Sequence, residues 1–375
     1  MGNPPLNPWH TIIGSSAILS IALLGDALIY AVLPVYAENF EVTLGWVGVL
    51  LSANRFVRVF AYGVITKFIY HIGARRICFV AIIAAAASTM VYGVGQGPVI
   101  LLIGRIIWGL AYAALLLITL EYAVQSRSQV GLKVGISRTV QRIGPITVLL
   151  VGSWLVGSIG PRAVFIVAAA ITLFAIPIIF TLPAYDSITG KFKSKHSLGQ
   201  PSSIDILFFI QGFGVDGVFA VTISLIFAQE LPSSIAVLVA GAILSVRHIG
   251  EVIAAPLFGW AGDQFGVERA FLGSLLLTIT GFVFIASELT IVGSVMMLVF
   301  RGALTSLGPS IIVESISVDE PSLPVLARMQ AWRDLGAAFG PLITGFSLSI
   351  FSAETQHAMI AIALTVGLFY WIYKR

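Results

Sequence analysis

Charged side chains recur inside stretches of this sequence that are otherwise apolar enough to cross a membrane. Arg138 and Arg142 lie four residues apart in one such stretch. Arg55 and Arg58 lie three apart in another, so each pair projects from one face of its helix. The fork of a guanidinium group matches the oxygens of a carboxylate or a phosphate. The two pairs therefore predict a cavity within the membrane that binds an anion.

Fourteen ionisable residues other than histidine lie within or at the ends of these stretches. They are Asp26, Arg55, Arg58, Arg105, Glu121, Arg138, Arg142, Asp216, Arg247, Glu251, Arg301, Glu314, Arg333 and Asp334. Each would cost about 3 kcal/mol at a lipid-exposed midplane, so they must face a watery cavity or one another. The first half of the chain has five of the arginines and two of the acids, and the second half has three arginines and four acids. Surplus arginines suit an anionic ligand, and spare carboxyl groups suit proton binding because burial favours their neutral form.

The charges of these residues suggest two roles. Substrate binding is predicted for six arginines, which are Arg55, Arg58, Arg105, Arg138, Arg142 and Arg333. Proton coupling is predicted for five acids, which are Asp26, Asp216, Glu251, Glu314 and Asp334. No metal and no cofactor are expected, because the sequence has neither paired histidines nor a glycine-rich phosphate loop.

Several of these residues also have a structural interpretation. Arg105 and Arg301 can hydrogen-bond to backbone carbonyl groups of their own half of the chain. Glu314 can be a solvated helix end or part of an ion pair. Arg247 and Glu251 lie four residues apart, so they can pair with each other on one helix. The two arginine pairs resist such an interpretation best, because each of their charges would need an acid nearby.

The composition places these residues in a membrane protein. Hydrophobic residues are 58% of the 375 residues, charged residues are 10%, and the mean hydropathy is +1.00, which excludes a soluble domain. The single cysteine, Cys78, excludes an internal disulfide framework. Because a span needs about 20 apolar residues, we predict an all-α protein with twelve transmembrane helices. They cover residues 11–36, 43–68, 76–95, 99–122, 130–157, 163–182, 205–229, 233–258, 269–287, 291–314, 323–350 and 356–373.

Basic residues indicate how these spans are oriented. The polar stretch from Tyr185 to Ser203 separates six spans from six and carries three lysines. With the N-terminus inside, twelve lysines and arginines fall in cytoplasmic segments, and only Arg162 falls in an outer loop. We therefore predict that both termini are cytoplasmic. The predicted domains are a six-helix bundle over 1–184, a cytoplasmic linker over 185–204 and a second six-helix bundle over 205–375.

The two halves of the chain repeat one another. Arg105 recurs as Arg301 after 196 residues, and Gly144-Pro145 recurs as Gly340-Pro341 at the same offset. Because six spans is an even number, both halves have the same orientation in the membrane. A Gly-Pro pair can allow a helix to move during a conformational change. Alternatively, it has only a structural effect, because proline kinks the helix and glycine allows close helix packing.

Four motifs resemble those of a known family. They are Asp26-x7-Pro34 in the first span, Arg105-x3-Gly109 in the fourth, Gly135-x8-Gly144-Pro145 in the fifth, and Gly259-x3-Asp263-x2-Gly266-x2-Arg269 after the eighth. In these motifs, and over its whole length, the chain resembles the major facilitator superfamily of secondary transporters. In the first-half counterpart of the last motif, Thr66 and Tyr70 stand where that family has Gly and Asp.

The resemblance implies two six-helix repeats around a central cavity. Its four peripheral helices correspond to spans 3, 6, 9 and 12, which contain none of the fourteen charged residues. It also implies gating or conformational roles for eight motif residues, which are Gly144, Pro145, Gly259, Asp263, Gly266, Arg269, Gly340 and Pro341.

Charge and resemblance together predict a proton-coupled secondary transporter of a small organic anion, and not an enzyme. Polycarboxylate metabolites, carboxylate siderophores and organic phosphates suit the arginines. The first-span and Gly-Pro motifs favour export by antiport, with import by proton symport as an alternative. A scaffold or sensor that keeps a transporter fold is a further alternative. The expected partners are the substrate, protons and the lipid bilayer but no nucleic acid, and the expected form is a monomer in a bacterial cytoplasmic membrane.

Overall fold

The structure is a computed structural model, and it describes residues 8–33, 36–125, 128–183, 199–220, 222–223, 233–317, 320–347 and 350–374. All regular structure within these residues is helical, with 3-10 and π-helical turns but no strand. The chain forms two compact units. The first unit consists of Met1–Ser126 and Thr139–Ser197, and the second of Arg127–Arg138 and Leu198–Arg375.

Eight helices are described before the linker. They are α1 (Pro8–Val32), α2 (Leu44–Ile72), α3 (Ala74–Val94), α4 (Gly97–Val124), α5 (Val130–Thr147), α6 (Ser153–Ile159), α7 (Pro161–Leu173) and α8 (Ile176–Thr181). A 3-10 turn, Ala37–Phe40, follows α1, and a π-helical turn, Val148–Gly152, joins α5 to α6.

The helices described after the linker carry most of the candidate site. They are α9 (Ser203–Gln211), α10 (Ser233–Phe265), α11 (Val267–Ala286), α12 (Thr290–Ser315), α13 (Ser322–Ser347) and α14 (Ala353–Lys374). A second π-helical turn, Gly212–Val218, continues α9. Both π-helical turns thus fall within predicted membrane spans.

Eight of the described helical segments are long and apolar enough to cross a membrane. They are Pro8–Tyr30, Trp46–Ile72, Ala74–Val94, Gly97–Val124, Pro161–Thr181, Val267–Ala286, Thr290–Ser315 and Ala353–Lys374. The other four predicted spans coincide with α5–α6, α9 with its π-helical turn, α10 and α13. Each of these four carries at least two ionisable residues.

Two glycines end long helices in the same way in the two halves of the chain. Gly73 separates α2 from α3 with φ 95°, and Gly266 separates α10 from α11 with φ 101°. The N–H of each donates over 2.9 Å to the carbonyl group four residues earlier. Glycine adopts such a backbone without steric cost, so the predicted repeat extends to these turns.

The first turns of α5 pack within the second unit because small residues let two backbones meet. A Cβ atom at Gly131 would overlap the carbonyl group of Gly259, and one at Gly135 would overlap that of Ala255. The division into units therefore passes through α5. Most of the predicted linker, 185–204, lies outside the described residues, and that domain boundary stays a prediction.

The first Gly-Pro pair lies inside a helix, as predicted. Pro145 is an interior residue of α5, and the N–H of Gly144 donates to Ser20 Oγ of α1 at 2.7 Å. Because proline lacks an N–H group, it interrupts the regular hydrogen-bond ladder, and the π-helical turn begins three residues later. This close contact supports the packing interpretation, while the gating role of Gly144 and Pro145 stays a prediction.

Candidate functional site

A buried carboxylate in the second unit holds three arginines from three helices. Asp216 Oδ1 lies 2.9 Å from Nη2 of Arg301 and 3.0 Å from Nη2 of Arg247. Asp216 Oδ2 lies 3.3 Å from Nη2 of Arg301 and 3.6 Å from Nη2 of Arg333. Glu251 completes the group, with Oε2 at 3.4 Å from Nη1 of Arg301. We call these five residues the Asp216 cluster.

The cluster has a buried side and a more accessible side. Glu251 is fully buried, and Arg301 and Asp216 are only 1% and 4% exposed. The side chains of Arg247 and Arg333, in contrast, are 24% and 15% exposed. Burying an ion costs several kcal/mol unless a partner compensates it, so the inner residues depend on each other. Solvent thus reaches the two outer arginines more than it reaches the inner residues.

Backbone packing fixes the position of Asp216. The residue lies on the π-helical turn Gly212–Val218, a type of helix irregularity that is frequent at functional sites. A Cβ atom at Gly340 of α13 would collide with Gly217 of this turn, and one at Gly212 would overlap the carbonyl group of Arg333. The turn and α13 are therefore in direct backbone contact, which brings Asp216 within reach of Arg333.

A small cavity of the second unit adjoins the cluster. Its lining consists of Arg138, Phe208, Gln211, Arg301, Thr305, Pro309, Met329, Gln330 and Arg333. Three of these side chains are guanidinium groups, and two are amides that can also donate hydrogen bonds. The Gln330 amide oxygen accepts a hydrogen bond from Nη1 of Arg333 at 3.2 Å, which orients that arginine. The cavity thus offers several donors to an anionic group, and with room for about one water molecule it would have to widen to admit an organic anion.

The first unit contains a simpler version of this arrangement. Nη1 of Arg105 lies 2.6 Å from Oδ1 of Asp26, whose side chain is 15% exposed. The fully buried Arg105 also donates from Nε to the carbonyl group of Leu50 at 2.8 Å and from Nη2 to the Tyr30 hydroxyl at 3.2 Å. These contacts support the structural interpretation of Arg105, and Asp26 is the partner that solvent can reach.

The remaining predicted arginines divide between the units. Arg138 lies in the second unit, whereas Arg55, Arg58 and Arg142 lie in the first. Arg58 is buried and places its guanidinium carbon 4.5 Å from the centre of the Tyr112 ring, a cation–π contact. Arg142 is buried and Arg55 is half-buried. That the four converge on one ligand stays a prediction.

The predicted acids lie in different environments. Asp334 is buried in α13, one residue after Arg333. Glu314 is exposed next to the last residue of α12, as the helix-end interpretation expects. Arg247 and Glu251 each contact a residue of another element, respectively Asp216 and Arg301. The interpretation that Arg247 and Glu251 pair only with each other on one helix is therefore incomplete.

The motif Gly259-x3-Asp263-x2-Gly266-x2-Arg269 spans the end of α10 and the start of α11, and it binds the beginning of α5 within the second unit. The Asp263 carboxylate accepts hydrogen bonds from the N–H groups of Gly131 at 3.0 Å and Leu132 at 2.9 Å. An acid at a helix N-terminus satisfies N–H groups that have no partner within the helix and complements the helix dipole. Gly266 and Arg269 of the motif are exposed. In the first unit, Thr66 stands at the position that corresponds to Gly259 and donates to the carbonyl group of Tyr62 in its own helix, at 2.7 Å.

Several residues of this site were not predicted to bind substrate or protons. Arg247 and Arg301 had only structural interpretations, and Gln211, Thr305 and Gln330 had none. The repeat offset pairs Arg301 with Arg105, and both arginines contact a buried or partly buried acid of their own unit. The neutral residues gave no comparable signal in a single sequence.

A family model matches the whole of the chain apart from its first residues. It is the model of the Major Facilitator Superfamily, and it matches residues 16–204 and 204–375. Among curated proteins, none matches the chain in sequence.

Solved structures of transporters share this fold. The human organic anion transporter MFSD10 (TETRAN) has a TM-score of 0.78 at 15% identity, over 98% of this chain and 99% of that one. The E. coli fucose:proton symporter FucP has a TM-score of 0.76 at 12% identity, over 97% and 98%. The proton:xylose symporter XylE has a TM-score of 0.75 at 14% identity, over 97% and 96%. The predicted fold class, twelve transmembrane helices in two six-helix repeats, is confirmed.

Proposed function

The chain belongs to the Major Facilitator Superfamily, and we propose that it is a proton-coupled secondary transporter of a small organic anion. Polycarboxylate metabolites, carboxylate siderophores and organic phosphates are the compounds whose oxygens suit its arginines. Human MFSD10, which shares the fold, is an organic anion transporter. At 15% identity that likeness supports the proposal only through the fold.

The observation that carries the proposal is the concentration of arginines at the cavity of the second unit. Arg138, Arg301 and Arg333 line it together, and Gln211 and Gln330 add amide donors. Charge-assisted hydrogen bonds from such groups are about twice as strong as neutral ones. A cation would be repelled here, and a neutral molecule would not use the charges. The predicted binding residues Arg55, Arg58 and Arg142 of the first unit are part of the same proposal, whereas the contacts of Arg105 favour its structural interpretation.

Proton coupling is proposed for carboxyl groups that share these arginines. Asp216 contacts Arg333, which also lines the cavity, so the charge of this acid acts directly on a ligand's counter-ion. The charge of Glu251 acts indirectly, through its contact with Arg301. In the first unit, the partly exposed Asp26 is the corresponding candidate. Asp334 and Glu314 stay candidates for proton coupling because of their positions within or at the end of predicted spans.

The conformational cycle is proposed to use the contacts that join helices through their backbones. Release of Asp263 from the start of α5 would free Gly131 from Gly259, and the two Gly-Pro pairs would let their helices adjust. The Gly135-x8-Gly144-Pro145 motif favours export by antiport, and import by symport is the alternative. Which one operates depends on whether proton and substrate compete or bind together.

A set of sugar derivatives of similar size tests the substrate charge. Gluconate is an anion, glucose is neutral and glucosamine is a cation, so their binding to the purified protein can be compared by calorimetry. We expect the unaltered chain to bind gluconate more tightly than glucose or glucosamine, or to bind gluconate alone. Arg333→Ala should weaken gluconate binding by about tenfold. Preference for glucosamine or glucose would contradict an anionic substrate. Binding of none, repeated with tartrate and glycerol phosphate, would favour the scaffold or sensor alternative.

A further inference from the structure

We infer that the Asp216 carboxylate is an internal counter-ion that the anionic substrate displaces, so that substrate and proton bind the cluster together. The inference rests on the proposed function, since it presupposes an anionic substrate. It assigns Asp216 a specific step in coupling. It also predicts that the coupling is positive, which means that each ligand raises the affinity for the other. Binding together is what proton–anion symport requires, whereas antiport requires competition.

Asp216 is held as a bound carboxylate ligand would be held. Oδ1 is shared by Arg301 and Arg247, and Oδ2 is shared by Arg301 and Arg333. Two carboxylate oxygens facing several guanidinium groups is the arrangement used to recognise carboxylate and phosphate ligands. The side chain therefore occupies the place that a substrate carboxylate would take among the same arginines.

Two of the three contacts are placed for exchange. Arg333 makes the longest contact, 3.6 Å, and it also lines the cavity in which a ligand would lie. Arg247 has the most exposed side chain of the cluster. Arg301, by contrast, is buried and has Glu251 as a second acidic partner, so it keeps a counter-ion when Asp216 moves. A ligand would thus take Arg333 and Arg247 from Asp216 and leave Arg301 in place.

The sign of the coupling follows from the charges. A cationic substrate would compete with a proton for the carboxylate. An anionic substrate competes with the carboxylate for the arginines, so it binds best when Asp216 is protonated. Conversely, an anion that neutralises the arginines removes what keeps Asp216 ionised and brings a negative charge close to it. Each ligand then raises the affinity for the other by the same factor, as linkage requires.

Other charged and titratable groups lie on the elements packed around Asp216. They are Arg247, His248 and Glu251 on α10, Arg301 on α12, Arg333 and Asp334 on α13, and His357 on α14. Glu251 is the main rival proton site, because it pairs with the same Arg301. The buried His357 hydrogen-bonds to the carbonyl group of Ala353 and contacts Thr222, beyond the π-helical turn. The test must therefore separate Asp216 from Glu251 in particular.

Calorimetry on the purified full-length protein tests the inference with anions whose own charge is constant between neutral and mildly acidic pH. Tartrate, gluconate and benzenesulfonate meet that condition. For the unaltered chain we expect affinity for the best-bound anion to rise by about tenfold on acidification. Binding in weak buffer should take up about one proton per anion. D216N should bind the anion tightly at both pH values, E251Q should retain the pH dependence, and E354Q serves as a control acid outside the cluster.

The outcomes separate this inference from the proposed function. Tighter binding at neutral pH, proton release on binding, or a pH dependence that D216N retains and E251Q loses would each overturn the inference while leaving an anion transporter. Failure of all three anions to bind at either pH would overturn the proposed function and the inference with it. Proton uptake is measured on the unaltered chain, so it decides the sign even if D216N does not fold.

Discussion

At the scale of single residues, the Asp26–Arg105 and Asp216–Arg333 contacts differ in what surrounds the arginine. Arg105 has one acid and two neutral oxygen partners, and it is fully buried. Arg333 shares Asp216 with two other arginines, makes its contact at 3.6 Å and reaches a cavity. The first environment is typical of an arginine that maintains a helix bundle. The second is typical of one that can change partners.

Substitution by lysine should distinguish these two roles. Lysine keeps the positive charge but lacks the planar fork, so Arg105→Lys breaks a buried network and should lower the free energy of unfolding by about 3 kcal/mol or more. Arg333→Lys should change stability by less than about 1 kcal/mol and weaken anion binding by about tenfold. Thermal unfolding and calorimetry measure the two effects. A large affinity loss in Arg105→Lys at unchanged stability would show that the roles are reversed.

At the scale of helices, the site depends on glycines that let α13 touch the π-helical turn Gly212–Val218. Gly336 and Gly340 lie one helical turn apart on α13 and meet the backbones of Phe209 and Gly217. Small residues at this spacing allow close helix packing in membranes. A side chain at either position would push the turn, and Asp216 with it, away from Arg333.

A pair of valine substitutions tests this packing. Gly340→Val should destabilise the protein by about 1–3 kcal/mol or displace the turn, and should lower anion affinity with no charged group altered. Gly273→Val in α11 is the matched control, because a Cβ atom there meets nothing within 4 Å. Binding and thermal unfolding of both variants are compared with those of the unaltered chain. Equal behaviour of the two variants would contradict the proposed role of the glycine contact.

The helices could be predicted from the sequence more completely than the site. Apolar length and turn residues predicted most helix ends to within a few residues, such as 99–122 for α4 (Gly97–Val124), but α10 continues to Phe265, past the predicted end at 258. The same patterns could not predict the π-helical turn at Gly212–Val218, because its position depends on contact with α13. Sequence spacing suggested that Arg247 pairs with Glu251, because spacing can identify only neighbours on the same helix. The contacts of Asp216 join elements far apart in the sequence, and only the fold brings them together.

At the scale of the whole molecule, orientation in the membrane remains a prediction from basic residues. The segments predicted to be cytoplasmic hold twelve lysines and arginines, against Arg162 alone in the outer loops. Arg162 itself donates from Nε and Nη2 to the carbonyl group of Asn39 within the first unit. From this bias we predict that the linker 185–204 and both termini are cytoplasmic.

Thiol labelling tests the orientation directly. Cys78 is the only cysteine, so Cys78→Ala gives a background without thiols. We expect a cysteine introduced by Ser194→Cys to resist an impermeant maleimide in intact cells and to react after permeabilisation. Ser287→Cys, predicted to lie on the outer side, is the matched control and should react in intact cells. Labelling of the Ser194→Cys variant in intact cells would reverse the predicted topology.

The central claim, coupled transport of an organic anion, is tested most directly by flux in proteoliposomes with an imposed pH gradient. Protein reconstituted in sealed vesicles is given labelled gluconate, tartrate or glucose, with the outside more acidic than the inside. With the symport sign inferred for the Asp216 cluster, we expect an anion to accumulate inside against its gradient, a proton ionophore to abolish this accumulation, and Arg333→Ala to reduce it by about tenfold or more. Accumulation of glucose in place of both anions, or anion flux that ignores the pH gradient, would contradict coupled transport of an anion.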